Sequence, residues 1–337
     1  MKLGVFALVA TFAALLFGPL TPVVQAQQSV TMRVEHDEPS GSITDRVLNE
    51  MAADMAKSTQ GRIKMEIHSG ASLSGGKIPT MIQNVQAGNV DVSLISSGIY
   101  ANIDPRIGVI SLPFLCGSID DLERVSRKSG ILKQVYADQD AKNVHIVDTW
   151  TRALRQVANN KREIKSPDDL KGLRIRVPEF KLWIDAFKAM GATPVPLPFS
   201  EIPTALQLGT IDGAERPSEF LKTESWWELA KFVSMLNYTG DVLLVGVNKA
   251  FWDKLDQPTQ KLLTAKFKEY GDKKFAEEKT LEQSVIALLR EKGVKVTIPT
   301  AAELVKFRKA MEPVWTENEK RLGKDLMNAA EKSASGK

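Results

Sequence analysis

From Pro258 to Lys292 the chain carries almost no helix breaker except Gly271. Asp256 stands where an N-cap would and Gly293 follows the far end, so the run reads as one unusually long helix or two nearly collinear ones. Leu262, Leu263, Phe267, Tyr270, Phe275, Leu281, Val285 and Leu288 are the candidates for its packed face, with a spacing that drifts around Gly271. A coiled coil is the alternative, but sustained heptads are absent. A helix that runs along two lobes fits better. Its lysine-rich part, Lys261 to Lys279, is interspersed with Glu269, Asp272, Glu277 and Glu278. That mixture reads as a solvated face rather than an anion-binding surface.

Ahead of the helix, strand and helix patterns alternate. Val30, Met32 and Val34 are apolar and Thr31 and Arg33 polar, the period of a strand. The loop from His36 to Gly41 leads into a helix whose apolar positions Ile43, Val47, Met51 and Met55 recur every four residues until Thr59, Gln60 and Gly61. Ile63, Met65 and Ile67 alternate again. Ile78 to Ala87 reads as a helix ended by Gly88, and Val90 to Ser96 as a third strand. After Asn143 the pattern resumes with strands at Val144 to Thr149, Val157 to Asn159 and Lys171 to Val177. Helices follow from about Phe180 to Met190 and over Ile202 to Leu208. Such alternation predicts an α/β fold with mainly parallel sheets and helices on their faces. Two such units joined by strands make a two-lobed frame with a ligand at the strand ends between them.

The first 26 residues have the order of a secretory signal peptide: Lys2, an apolar run from Leu3 to Leu16, then Pro19, Pro22 and the ending Val24-Gln25-Ala26. Cleavage near Ala26 and export to the periplasm are expected. A membrane anchor is the competing reading, but Gly18 and Pro19 interrupt a run that is already short for a span. The remainder is long enough for two domains. The net charge is +4 with acids and bases interleaved, which argues against a nucleic-acid partner. The single cysteine, Cys116, lies in the apolar stretch Leu112 to Cys116 and is expected to be a buried, inert thiol.

Three histidines, His36, His68 and His145, lack metal-ligand spacing, and no nucleophile elbow or phosphate loop occurs. No cofactor, no metal and no enzymatic activity are therefore expected. The informative stretch is Thr151 to Pro217, where Arg155, Arg174, Arg176 and Arg216 fall at strand ends and loop edges. Arginine offers a planar fork of donors that matches a carboxylate and keeps its charge when dehydrated. Within an apolar strand, Arg174 and Arg176 are either edge charges or ligands for an anion.

The segment Ser166 to Pro178, reading SPDDLKGLRIRVP, is followed at Gly191 by GATPVPLPFSEI and at Thr204 by TALQLGTIDGAERP. Together with Gln86 to Asp91 and Leu112 to Leu115, these ordered runs resemble the substrate-binding subunits of tripartite ATP-independent periplasmic (TRAP) transporters, the DctP family. The similarity extends over essentially the whole chain after the leader. It implies a two-lobed fold, a long helix spanning both lobes, and hinge closure on a small organic anion. That anion would be handed to the small and large subunits of a TRAP membrane permease. Arg176 matches the family's carboxylate-binding arginine, Arg155 a second arginine directed at the ligand, and Phe199 an aromatic of the pocket wall. At Arg216 the family commonly has asparagine; the added charge, with donors from His36 and Lys77, implies a preference for anions with more than one acceptor group, such as dicarboxylates or similarly acceptor-rich acids. The other reading, in which Arg216 pairs with Glu215 or Glu219, stands beside it. Ser96, Trp150 and Tyr238 are candidates for the far side of the cleft.

The lobes are expected at 27–152 with 242–281 and at 153–241 with 282–330, and the polar tail 331–337 is expected to fray. A monomer is expected. A periplasmic ligand sensor, or an organic-acid enzyme on the same fold, is the alternative.

Overall fold

In a computed structural model of the chain, residues 29–336 are described; the expected leader lies outside them. Two sheets form the frame. The first has the order β2-β1-β3-β10-β4, built from β1 (Val30–His36), β2 (Ile63–His68), β3 (Val92–Ser96), β4 (Val144–Arg152) and β10 (Asp241–Asn248). The second has the order β11-β9-β5-β8-β6-β7. Its strands are β5 (Arg155–Asn159), β6 (Arg174–Val177), β7 (Thr193–Pro196), β8 (Gly213–Pro217), β9 (Phe232–Ser234) and β11 (Lys295–Thr297). The alternation read in β1 is real: Val30, Met32 and Val34 are buried in a core with Val47, Met51 and Met55 of the first helix, Ile43–Ser58.

Parallel pairings, β1 with β2 and β3, β6 with β7 and β8, come from the helix-connected units. The sheets are nevertheless mixed. β10 runs antiparallel to β3 and β4, and β5 antiparallel to β8 and β9. Parallel neighbours need a long crossover connection. Here only Ala153 and Leu154 separate β4 in one sheet from β5 in the other, so the chain enters the second sheet without one. It returns between Ser234 and Asp241, and β11 brings it back once more after the long helix.

That helix is single and continuous, Gln257–Glu291, 35 residues, with the Asp256 side chain accepting from the Thr259 amide at 2.7 Å. Gly271 lets it lie close on β4. A Cβ there would stand 2.7 Å from Trp150 Nε1, and the same indole donates to the Phe267 carbonyl at 3.0 Å. The drift in spacing has a physical cause, because the helix serves two cores. Leu263, Phe267 and Tyr270 pack into the first, Val285, Ile286 and Leu289 into another with Ala158, Ile202 and Val233. Between them the buried positions are Gly271, Lys274 and Glu278, while Phe275 is only half-buried beneath Lys128 and Lys279. The solvated face expected over Lys261 to Lys279 therefore fails at Lys274, which is fully buried.

The chain end also departs from expectation. The last helix, Lys324–Ala334, continues into the segment expected to fray, and Ala330 and Ala334 are buried. Arg124 donates to the carbonyls of Ser333 at 3.2 Å and Ala334 at 2.7 Å. This helix packs beside the 105–128 region of the expected first lobe rather than within the second. Cys116 is buried, and burial pushes its thiol up to about 12.

Candidate ligand-binding site

Between the sheets lies a cavity of about 370 Å³. It is bounded by the ends of β1, β3 and β4 on the first lobe and by β5, β6 and β8 on the second. Four arginines, Arg152, Arg155, Arg176 and Arg216, reach it, and all are buried. An uncompensated buried charge is costly, so what matters is how each one is answered.

Arg155, at the start of β5, is fully answered. Its Nε and Nη2 grip Glu215 of β8, the latter at 2.7 Å, and the Tyr238 hydroxyl donates to the same carboxylate at 2.9 Å. Its guanidinium lies 4.3 Å from the Trp183 ring centre, a cation–π contact. Arg152, at the end of β4, donates to Asp241 at 2.9 Å and lies 2.8 Å from Glu38 and 3.8 Å from Asp37.

Arg176, in β6, is different. Its Nε donates to the Leu197 carbonyl at 2.8 Å, but Nη1 makes no hydrogen bond and lies 3.6 Å from a Glu215 already held by Arg155. Burial, with the added repulsion of Arg216 and Arg155, pulls its pKa down to about 9, and Glu215 only partly opposes this. It stays charged at neutral pH but is short of counter-charge. Arg216, in β8, pairs through Nη2 with Glu224 and packs 4.4 Å from the Phe220 ring centre and 5.9 Å from that of Phe199, while its Nε has no partner. Burial, before any neighbouring charge, lowers its pKa as well.

On the first-lobe wall Asp37 is 4% exposed. Its Oδ2 accepts from the Ser96 amide at 3.3 Å, and its Oδ1 has no partner. Burial pushes its carboxyl up to about 6, against the pull of Arg152 and with the repulsion of Glu38 and Asp241.

Of the residues singled out from sequence, Arg155, Arg176, Arg216, Phe199, Ser96 and Lys77 line the cavity. His36, Trp150 and Tyr238 do not. His36 is buried against Asp45 at 3.1 Å, Trp150 lies under the long helix, and Tyr238 stands behind Arg155. The partner of Arg216 is neither Glu215, which serves Arg155, nor Glu219, whose Oε1 accepts from the Ile43 amide at 2.6 Å across the lobes. Sequence reasoning missed Arg152, Asp37, Trp183 and Phe220. Arg152 had a signal, since it precedes Arg155 by three residues at the same strand junction. The two aromatics had none that separates them from core.

Among the described residues no cluster of three or more His, Cys, Asp or Glu side chains converges as a metal site, and no helix is long and apolar enough to cross a membrane. What the arrangement can do is hold an anion among buried arginines in a cleft.

Residues 34–321 match the model of a family described as DctP, bacterial extracellular solute-binding protein, family 7. The chain is 27% identical over 310 residues to the sialic acid-binding periplasmic protein SiaP of Vibrio cholerae, covering 92% of this chain and 94% of that protein. It is 31% identical over 242 residues to the 2,3-diketo-L-gulonate-binding periplasmic protein YiaO of Escherichia coli, covering 71% and 72%. A crystal structure of a TRAP periplasmic solute-binding protein from Ralstonia eutropha with bound (S)-2-acetolactate superposes with a TM-score of 0.86. The identity is 26%, covering 91% of this chain and 99% of that one.

Proposed function

The chain belongs to the DctP family, bacterial extracellular solute-binding protein family 7, and from that premise we propose that it captures a small organic acid between its two lobes in the periplasm. In this reading it acts as a monomer, without catalysis, and delivers the acid to the small and large subunits of a TRAP permease. The observation that carries the proposal is Arg176, buried at the cavity wall with one guanidinium nitrogen unbonded and only a shared carboxylate nearby. A ligand carboxylate supplies the missing counter-charge. The relatives named above, which bind sialic acid, 2,3-diketo-L-gulonate and acetolactate, support the same ligand class.

A ligand stabilises the folded state by RT ln(1 + [L]/Kd), so a thermal-shift panel tests the proposal. Organic acids are expected to raise the melting temperature, and their neutral primary amides to leave it unchanged. Amides that stabilise as well as the parent acids would count against a carboxylate site.

We also propose lobes at 27–152 with 242–281 and at 153–241 with 282–330, except that the last helix from Lys324 sits against the first lobe, the two closing by bending of the segments between them. The supporting feature is that the cavity takes its walls from both sheets, so a desolvated anion site is complete only when they meet. Small-angle scattering should give a smaller radius of gyration with saturating ligand than without. An unchanged radius would rule out the hinge.

A further inference from the structure

We infer that the cavity has two unlike walls and that Asp37 selects a ligand hydroxyl, so that the ligand class is a hydroxylated monocarboxylate rather than a diacid. The inference rests on the organic-acid reading above.

On the second-lobe wall, three buried arginines, Arg155, Arg176 and Arg216, pair with two carboxylates, Glu215 and Glu224, while Glu179, which also lines the cavity, is exposed and pairs with none of them, so the balance is taken over the paired groups. The surplus is one positive charge, which matches one ligand carboxylate. Arg216 was the reason to expect a second acidic group, but it is already paired through Nη2 with Glu224, which leaves its Nε as a lone unbonded donor rather than a free charge.

The first-lobe wall has the opposite balance. Asp37, Glu38 and Asp241 all lie within 3.8 Å of Arg152, and of the three Asp241 is also reached from the other wall, 3.7 Å from Arg155. Lys274, the other buried cation of this region, is bound to Glu278. A second carboxylate docking here would meet an excess of like charge. The helix Ile78–Ala87 that starts at the rim does little to change this. Pro79 has no amide hydrogen, the Thr80 amide donates to the Lys77 carbonyl, and Lys77 itself is exposed.

What this wall does offer is an acceptor. Asp37 Oδ1 is buried, unbonded and part of a cavity-lining side chain, so it is left at a desolvation cost that a donor from the ligand would relieve. The Ser96 hydroxyl donates to Asp241 at 2.8 Å and so presents only lone pairs to a ligand. One free oxygen satisfies the single proton of a neutral hydroxyl, whereas an ammonium brings three donors to a wall with one unbonded carboxylate oxygen among its cavity-lining side chains.

The test uses matched probes of four and six carbons. These are threonate and gluconate, the diacids succinate and adipate, the plain acids butyrate and hexanoate, and the amino acids 4-aminobutyrate and 6-aminohexanoate. Affinities are measured by calorimetry on the wild type and on Asp37→Ala. The hydroxylated acid is expected to bind at least about tenfold tighter than its partners at the length that fits. Asp37→Ala should reduce that preference about tenfold while leaving the plain acid within about threefold. Because the readout is a ratio, general destabilisation of the variant does not imitate it. A diacid or amino acid that binds tightest at both lengths overturns the inference, as does a preference unchanged in Asp37→Ala. If no acid of either length binds, the organic-acid reading itself falls, and the inference with it.

Discussion

Arg176→Ala is expected to lower affinity for the bound acid by roughly thirty- to several-thousand-fold, the ~2–5 kcal/mol typical of truncating one partner of a buried charge pair. The fold should survive. Glu215, the acid nearest the lost guanidinium, keeps its two bonds from Arg155 and a third from Tyr238, so no carboxylate is left bare. Arg155→Ala should behave differently, because it strips Glu215 of its main partner and threatens folding before binding can be read. Arg176→Lys should also bind weakly, since a lone ammonium cannot both hold the Leu197 carbonyl and form two parallel bonds to a carboxylate. Calorimetry on a folded Arg176→Ala protein that returned wild-type affinity would remove this residue from the site.

The largest effect on stability is expected at Lys274. Its ammonium, with no exposure at all, bonds to Glu278 and to the Thr151 carbonyl, and Glu278 also accepts from the Thr151 hydroxyl at 3.0 Å. Glu38 and Glu219 feel the same charge. Lys274→Met keeps the length of the stem but leaves Glu278 without its ion-pair partner, a loss of roughly 3–5 kcal/mol. The loss should depend on pH. Burial pushes Glu278 up to about 7 and Glu219 up to about 8, both from an ordinary 4.5. Between those limits the folded state binds more protons than the unfolded one, so the contribution of these groups to stability falls as pH rises. Without Lys274 both values rise further. Urea denaturation should therefore show a deficit that is largest at pH 8 and shrinks toward pH 5. An equal deficit at both values would mean that packing, not charge, is what Lys274 contributes.

Lys274 also marks the limit of what could be read from the sequence. Among the lysines and glutamates of its helix it has no distinguishing neighbour, and its burial arises because two lobes converge on the middle of that helix. Arg176 was legible for the contrary reason: a guanidinium within Ile175 and Val177 has few explanations, and the family resemblance chose among them. His36 and Asp37 illustrate a finer limit. His36, at the end of β1, was expected to give the ligand a donor, but successive residues there point to opposite sides, and a reading one position early exchanges a core histidine for the cavity carboxylate. Arg152 meets Asp241 across 89 residues of chain, and Asp37 joins them from the other direction, which no local pattern encodes. Strand and helix positions were legible because periodicity is local. The antiparallel course of β5 and β10 was not, because direction is set by where the chain crosses between sheets.

Those crossings also bear on how such a protein diversifies. The first sheet takes β1 to β4 and then β10, the second β5 to β9 and then β11, so no single cut in the chain separates them. A recombination event with one joint anywhere between β1 and β11 would divide at least one of the two sheets between two parents. Exchange of one complete lobe between relatives would need several joints placed together. Substitution is the accessible route, and the strand ends suit it, because positions such as Asp37, Phe199 and Arg216 border the cavity while the cores behind them stay as they are. On this frame a change of diet is a matter of single codons.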